Sequence, residues 1–233
     1  MPFLDRIITY NKNSVLKGEM LKSFDKFAHT YQKYNVIQKK IIKKYLPFLK
    51  KRVVDLGCGS EGLCKYKNFD FYLGIDSSPS MLKKNPCNTR LLDFNTKNCF
   101  DEIKKYDFEQ IVSFSALQWA KDLNFVFENI RDLKKEFLLA VFTSYTFHTL
   151  HNFLEVSSPI PSKEKILKSA EILNPNIEIL RYEMYFKSPK EMLEYIKFSG
   201  VKGETRANPA RIKKFLKEFP VNFLEFEIVV LKS

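Results

Sequence analysis

The chain has 233 residues, 45% of them hydrophobic, enough for one α/β domain with its own core. Its longest strongly apolar stretch, FLLAVF at 137–142, is strand length, far short of the roughly 20 residues a membrane helix needs. A net charge of +12, from 39 basic and 27 acidic side chains, favours an acidic partner such as nucleic acid or an acidic protein, unless the bias is background spread over the whole chain.

The opening MPFLDRIITY carries Asp5 and Arg6 inside its apolar stretch and reads as no secretory signal. Segment 20–50 reads as helix, because Phe24, Phe27, Tyr31, Tyr34, Ile37, Ile41, Ile42 and Tyr45 recur at three- and four-residue steps, with Pro47 as breaker. From 52 the pattern alternates. RVVDLG, FYLGID at 71–76, LLDF at 91–94, FEQIVSF at 108–114 and FLLAVFTS at 137–144 read as strands, with a short helical stretch before 91 and a helix over 122–134. Continuous apolar runs suit strands buried on both faces of a parallel sheet. Helices are expected over 147–156 and 162–173, the latter capped by Ser162. IEILRYEMYF at 177–186 alternates as a half-exposed strand. Ser188-Pro189-Lys190-Glu191 fits a helix start, and FLEFEIVVLK at 223–232 closes the chain as a strand. No linker rich in Gly, Ser or Pro appears. The expectation is one α/β domain over 1–233, a doubly wound, mostly parallel seven-stranded sheet. It has a helical cover (1–50), a ligand-binding half (51–145), and inserted helices with closing strands (146–233).

Four cysteines form no C-x-x-C pair and read as reduced thiols of a cytoplasmic protein; with three histidines, no metal site is expected. Glycine is scarce, yet Gly57, Gly59 and Gly62 of the chain's seven fall within six residues directly after the first strand. Bare backbone there permits a tight turn and close approach of a ligand. A lone G-x-G-x-x-G is weak by itself and also fits a turn with no ligand. Asp55 and Glu61 flank the loop, and no Lys or Arg lies between 53 and 64, which favours a ligand with a cationic end over a pyrophosphate. Asp76 ends the next strand, where a carboxylate accepts ribose hydroxyls, as it would in a dinucleotide enzyme too. Asp93, followed by Phe94, ends the third, beside an adenine; either acid alone is equally a helix cap.

VVDLGCGSEG, GIDSSPSML, LLDFN and FSALQWA, in this order, resemble the cofactor motifs of class I S-adenosylmethionine-dependent methyltransferases. Ser115-Ala116-Leu117-Gln118-Trp119 resembles the malonyl-acyl carrier protein O-methyltransferases of biotin synthesis, and also the trans-aconitate methyltransferases. FDKFAHTYQKYNVIQ at 24–38, SPKEMLEYIKFSGVKG at 188–203 and TRANPARI at 205–212 favour the malonyl enzyme. The likeness covers 24 to 231. The stretch between Gly62 and Asp76 is short for the family, so its first helix is expected to be stunted.

The resemblance implies S-adenosylmethionine as cofactor. Asp55, Gly57 and Gly59 would lie at its methionine end, with Cys58 and Gly62 of the same loop also binding the cofactor, Asp76 with Ser77 and Met81 at the ribose, Asp93 and Phe94 at the adenine, and Ser113 beneath the methionine. Tyr31 would cover the sulfonium. Arg206 would hold the substrate carboxylate with Arg211 in reserve. From their place after the fifth strand, Tyr145 and His148 either line the substrate mouth or simply pack, and Trp119, the single tryptophan, either touches the ligand or serves the core or a lid. The implied partner is an acidic acyl carrier protein bearing malonyl. Nucleic acid is disfavoured, because Ser113-Phe114-Ser115-Ala116 stands where base-methylating relatives carry Asn/Asp-Pro-Pro-aromatic. A free small acid is the alternative substrate.

Overall fold

The computed structural model describes residues 34–198 and 208–233. Helix α1 (Val36–Tyr45) turns Ile37, Ile41, Ile42 and Tyr45 inward, and Pro47 sits in the 3-10 turn Leu46–Phe48 that ends it. The core follows as β1 (Arg52–Leu56), β2 (Phe71–Asp76), α2 (Pro79–Leu82), β3 (Thr89–Leu91), α3 (Lys97–Ile103) and β4 (Gln110–Phe114). Then come α4 (Leu123–Asp132), β5 (Glu136–Phe142), α5 (His148–Leu154) and α6 (Lys163–Ala170). Strand β6 (Asn176–Tyr185), α7 (Pro189–Phe198), α8 (Pro209–Glu218) and β7 (Phe223–Lys232) complete the described chain.

All seven strands join one sheet in the order β3-β2-β1-β4-β5-β7-β6. Pairing is parallel from β3 to β5, while β7 runs antiparallel to both β5 and β6. Chain order reverses at β1 and β4, and a doubly wound sheet opens a crevice at the carboxyl ends of such strands. Alternate residues of the buried strands feed two apolar layers. Val53, Val112 and Ala140 face Ile37 and Ile41 of α1 on one side. Val54, Ile111 and Leu139 face Val126, Phe127 and Ile166 of α4 and α6 on the other. Strand β6 is the exception, with an outer face that leaves Ile177 and Tyr185 exposed.

Two helix starts follow the capping logic. The Ser162 hydroxyl accepts from Lys165 N, and the Ser188 hydroxyl from Glu191 N while Glu191 accepts from Lys187 N. Two expectations are corrected. Strand β3 stops at Leu91 rather than reaching 94, because Asp93 turns its carboxylate onto Asn95 N (2.9 Å) and folds the chain into a tight turn. The thiols are not all free: Cys64 and Cys87 are bonded in a disulfide, and Cys58 and Cys99 are buried thiols. Sequence spacing does not reveal that pairing, because it joins two separate connections of the sheet. Among the described residues no helix is long and apolar enough to cross a membrane.

Candidate functional site

Strand β1 delivers the chain into a loop that begins with Gly57 at φ 73°. A β-carbon on Gly57 would stand 2.1 Å from that of Ala116, so the first glycine is required by both backbone and neighbour. The loop is tied to β2, with Gly57 N and Cys58 N donating to Ile75 O, and Gly59 N donating to an Asp76 carboxylate oxygen at 2.9 Å. The other Asp76 oxygen accepts from Ser78 N at 2.8 Å. Both Asp76 oxygens thus shape the loop, and Asp76 is not among the residues that wall the cavity above it.

A cavity opens over this loop, walled by Asp55, Gly57, Cys58, Gly59 and Gly62 from the predicted set. Asn35 and Gln38 at the start of α1 and Ser115 after β4 also wall it, and none of the three is an expected site residue from sequence. Asn35 and Gln38 are buried, and their amide oxygens have no partner among the described residues. Spaced three apart and in phase with Ile41 and Ile42, they are polar residues on an apolar helix face, a signal that was available in the sequence. Ser115 holds φ 66°, uncommon for a non-glycine residue, and its buried hydroxyl oxygen also lacks a partner among the described residues. Its backbone is clamped, with Ser115 N donating to Ala140 O and Gln118 Nε2 donating to Ser115 O.

Asp55 is buried beneath the loop, and its carboxylate accepts from the Tyr72 hydroxyl at 2.8 Å. Burial pushes its pKa up to about 7; the Tyr72 hydrogen bond opposes the shift and the nearby Asp76 charge adds to it. Burial likewise pushes the Cys58 thiol well up, which leaves it a poor nucleophile. Glu61 is engaged by the Tyr66 hydroxyl at 2.7 Å and by Lys39 and Lys65 at 3.8 Å. Among the described residues no lysine, arginine or histidine walls the cavity.

The other expected residues divide. Asp55, Asp76 and Asp93 lie at the carboxyl ends of adjacent parallel strands, Asp93 two residues past β3. Phe94 packs near Gly57, Met81 is buried in α2, and Ser77 lies in the turn after β2. The Ser113 hydroxyl donates to Leu56 O at 2.7 Å, bracing β4 against β1, and it does not wall the cavity. Trp119 closes a 3-10 turn and packs partly buried against the α1-side core. Tyr145 stacks on His148 with ring centroids 5.0 Å apart, and the Arg181 guanidinium lies over the Tyr145 ring. Arg181 in turn is held by the buried carboxylate of Glu227 at 2.8 Å. Arg211 pairs with Glu155 on the surface. Tyr31 and Arg206 lie outside the described residues. Among the described residues no group of three His, Cys, Asp or Glu side chains is arranged to hold a metal ion.

No protein-family model matches the chain. Two curated proteins are similar along most of it, both described as malonyl-[acyl-carrier protein] O-methyltransferase. The protein of Neorickettsia risticii is 24% identical over 226 residues, 86% of this chain and 89% of that one. The protein of Halorhodospira halophila is 22% identical over 222 residues, 84% and 74% of the two chains. Among solved structures, a SAM-dependent methyltransferase from Archaeoglobus fulgidus superposes with a TM-score of 0.54 at 16% identity, covering 90% of this chain and 97% of that one. The YcgJ protein of Bacillus subtilis does so with 0.55 at 12%, covering 84% and 96%. The chain therefore has the fold of the class I S-adenosylmethionine-dependent methyltransferases and resembles the malonyl-[acyl-carrier protein] O-methyltransferases over most of its length.

Proposed function

We propose that this chain is an S-adenosylmethionine-dependent carboxyl O-methyltransferase that methylates the free carboxylate of a malonyl group on an acyl carrier protein. One observation carries the cofactor half of the reading. Among the described residues, the cavity over the glycine loop is walled by acceptors and by no cation: the Asp55 carboxylate, and the amide oxygens of Asn35 and Gln38, which have no partner there. Buried acceptors left unpaired cost free energy, and a ligand ammonium repays it with three donors. The Asp76 carboxylate is assigned to the ribose hydroxyls, and Phe94 with Asp93 to the adenine side. The substrate half is supported by the two curated relatives, by the SALQW segment and by the net charge of +12.

When bound, the cofactor supplies an electrophilic methyl carbon on a sulfonium. The protein's share is alignment, exclusion of water and a fixed cation for the substrate. A malonyl carboxylate, with an ordinary pKa near about 4, is already ionised at neutral pH and needs no general base. Holding two reactants in attack geometry contributes on the order of 7–11 kcal/mol. Arg206, by its match to the family's substrate-side stretch, is assigned to the carboxylate, and Tyr31 to the sulfonium. Ser115, braced by Ala140 and Gln118, is assigned to the part of the cavity where the reacting groups meet. Exposed Lys40 and Lys43 on α1 add to a basic surface for an acidic carrier.

The test is mass spectrometry of malonyl-carrier incubated with the protein and S-adenosylmethionine. A gain of one methylene on the carrier, with free malonate nearly untouched and the rate falling as salt rises, is expected. Equal methylation of free malonate would remove the carrier from the reading, and no transfer to either would remove the reaction.

A further inference from the structure

Parallel strands in one sheet are ordinarily joined by a crossover containing a helix packed on the sheet. Between β1 and β2 this chain has only the 3-10 turn Leu63–Lys65. The glycine loop therefore takes much of its shape from elsewhere, and its neighbour is the segment between α2 and β3. Asn85 Nδ2 donates to Gly59 O at 2.7 Å, while its Oδ1 accepts from Cys87 N at 2.9 Å. The Cys64–Cys87 bond joins the same two segments covalently, with Cα atoms 5.9 Å apart. Gly62, at φ 63°, is pressed against this link: a β-carbon there would lie 2.4 Å from Cys87 Sγ and 2.5 Å from Asn85 Oδ1. Cys64 and Cys87 are partly exposed, whereas the two free thiols are buried.

We propose that Cys64 and Cys87 form a reversible redox modification site that sets the shape of the glycine loop, so that the oxidised chain holds nucleotide more tightly than the reduced one. The second clause rests on the reading of the loop as a nucleotide site. The exchange needs a small dithiol as reductant. Its thiolate attacks one sulfur, a mixed disulfide forms, and its second thiolate releases the protein thiol. Cys64 and Cys87 gain two electrons and two protons, and the dithiol leaves as a disulfide. A low-molecular-weight disulfide reverses the reaction. Two thiols cannot occupy the space of a bond, so on reduction the segments separate and Gly62, wedged against them, moves as well. One hydrogen bond, Asn85 to Gly59, is then left among the described links between these segments.

The experiment compares air-oxidised protein, dithiol-reduced protein and the Cys64→Ser/Cys87→Ser double variant. Thiols counted under denaturing conditions, amide exchange over 57–66, and calorimetry with S-adenosylhomocysteine are the readouts. The oxidised chain should show two free thiols and the reduced chain four. Reduction should speed exchange in the loop and weaken nucleotide binding, each by about tenfold, and the double variant should match the reduced protein in either buffer. Four free thiols after oxidation, or loop exchange unchanged by reduction, would overturn the site. Unchanged affinity with altered exchange would overturn its coupling to the nucleotide. If neither form binds nucleotide, the methyltransferase reading fails and the exchange comparison alone decides the redox site.

Discussion

Replacing Asp55 with asparagine separates what this residue costs the fold from what it gives the site. Its carboxyl is pushed up to about 7 by burial, against an ordinary aspartate near 3.8. An acid whose folded pKa is raised contributes stability that is present below its unfolded pKa and lost as pH rises through the folded value. Ionised Asp55 therefore costs the unliganded fold about 4 kcal/mol at alkaline pH, at about 1.4 kcal/mol per tenfold change in acidity. The Asp55→Asn variant would keep a partner for the Tyr72 hydroxyl without the buried charge. In urea unfolding, the wild-type stability relative to Asp55→Asn should fall by about 3 kcal/mol between about pH 5 and about pH 8. A bound ammonium favours the ionised form, so S-adenosylhomocysteine should bind the wild type about a hundredfold more tightly at about pH 8 than at about pH 5. The variant should bind weakly with little pH dependence, while being the more stable protein at the alkaline end. A wild-type-to-variant stability difference that is flat with pH would refute the buried-acid reasoning. A pH-independent affinity in the wild type would refute the pairing of Asp55 with a cation.

Gly57→Ala places a β-carbon 2.1 Å from that of Ala116 at φ 73°, and should cost at least about 3 kcal/mol in chemical unfolding and abolish nucleotide binding; a loss below about 1 kcal/mol would show that the loop yields there. Glu227→Ala releases the exposed Arg181 to solvent and leaves the Thr143 hydroxyl, now 2.9 Å from the carboxylate, without its acceptor. It should lower the unfolding free energy by about 1–2 kcal/mol, measured at neutral pH and set mainly by the unsatisfied Thr143 hydroxyl, and a neutral effect would mean that neither partner gains from Glu227.

Much of the architecture was legible because it is written in local periodicity. The apolar run of β7, FLEFEIVVLK, matches the observed strand, and Ser162 and Ser188 each cap the helix that the sequence places after them. The glycine cluster and the aspartates ending β1 and β2 could be placed from sequence because a doubly wound sheet converts strand ends into one crevice. Asp93 was displaced by two residues, since an aspartate's side-chain turn competes with strand extension and periodicity over three residues cannot arbitrate.

What only the tertiary structure decided are relations between segments distant in the chain. Ser113 and Ser115 look equivalent in FSALQWA, yet one braces β1 through Leu56 O and the other, forced to φ 66°, faces the cavity. Asn35 and Gln38 become site residues only because α1 packs its apolar face over the mouth of β1. Cys64 meets Cys87 because a crossover without a helix leaves its loop beside the segment that follows α2. Periodicity reports which face of an element is buried. Which buried polar atoms then find partners, and which are left open for a ligand, depends on chain folded against chain.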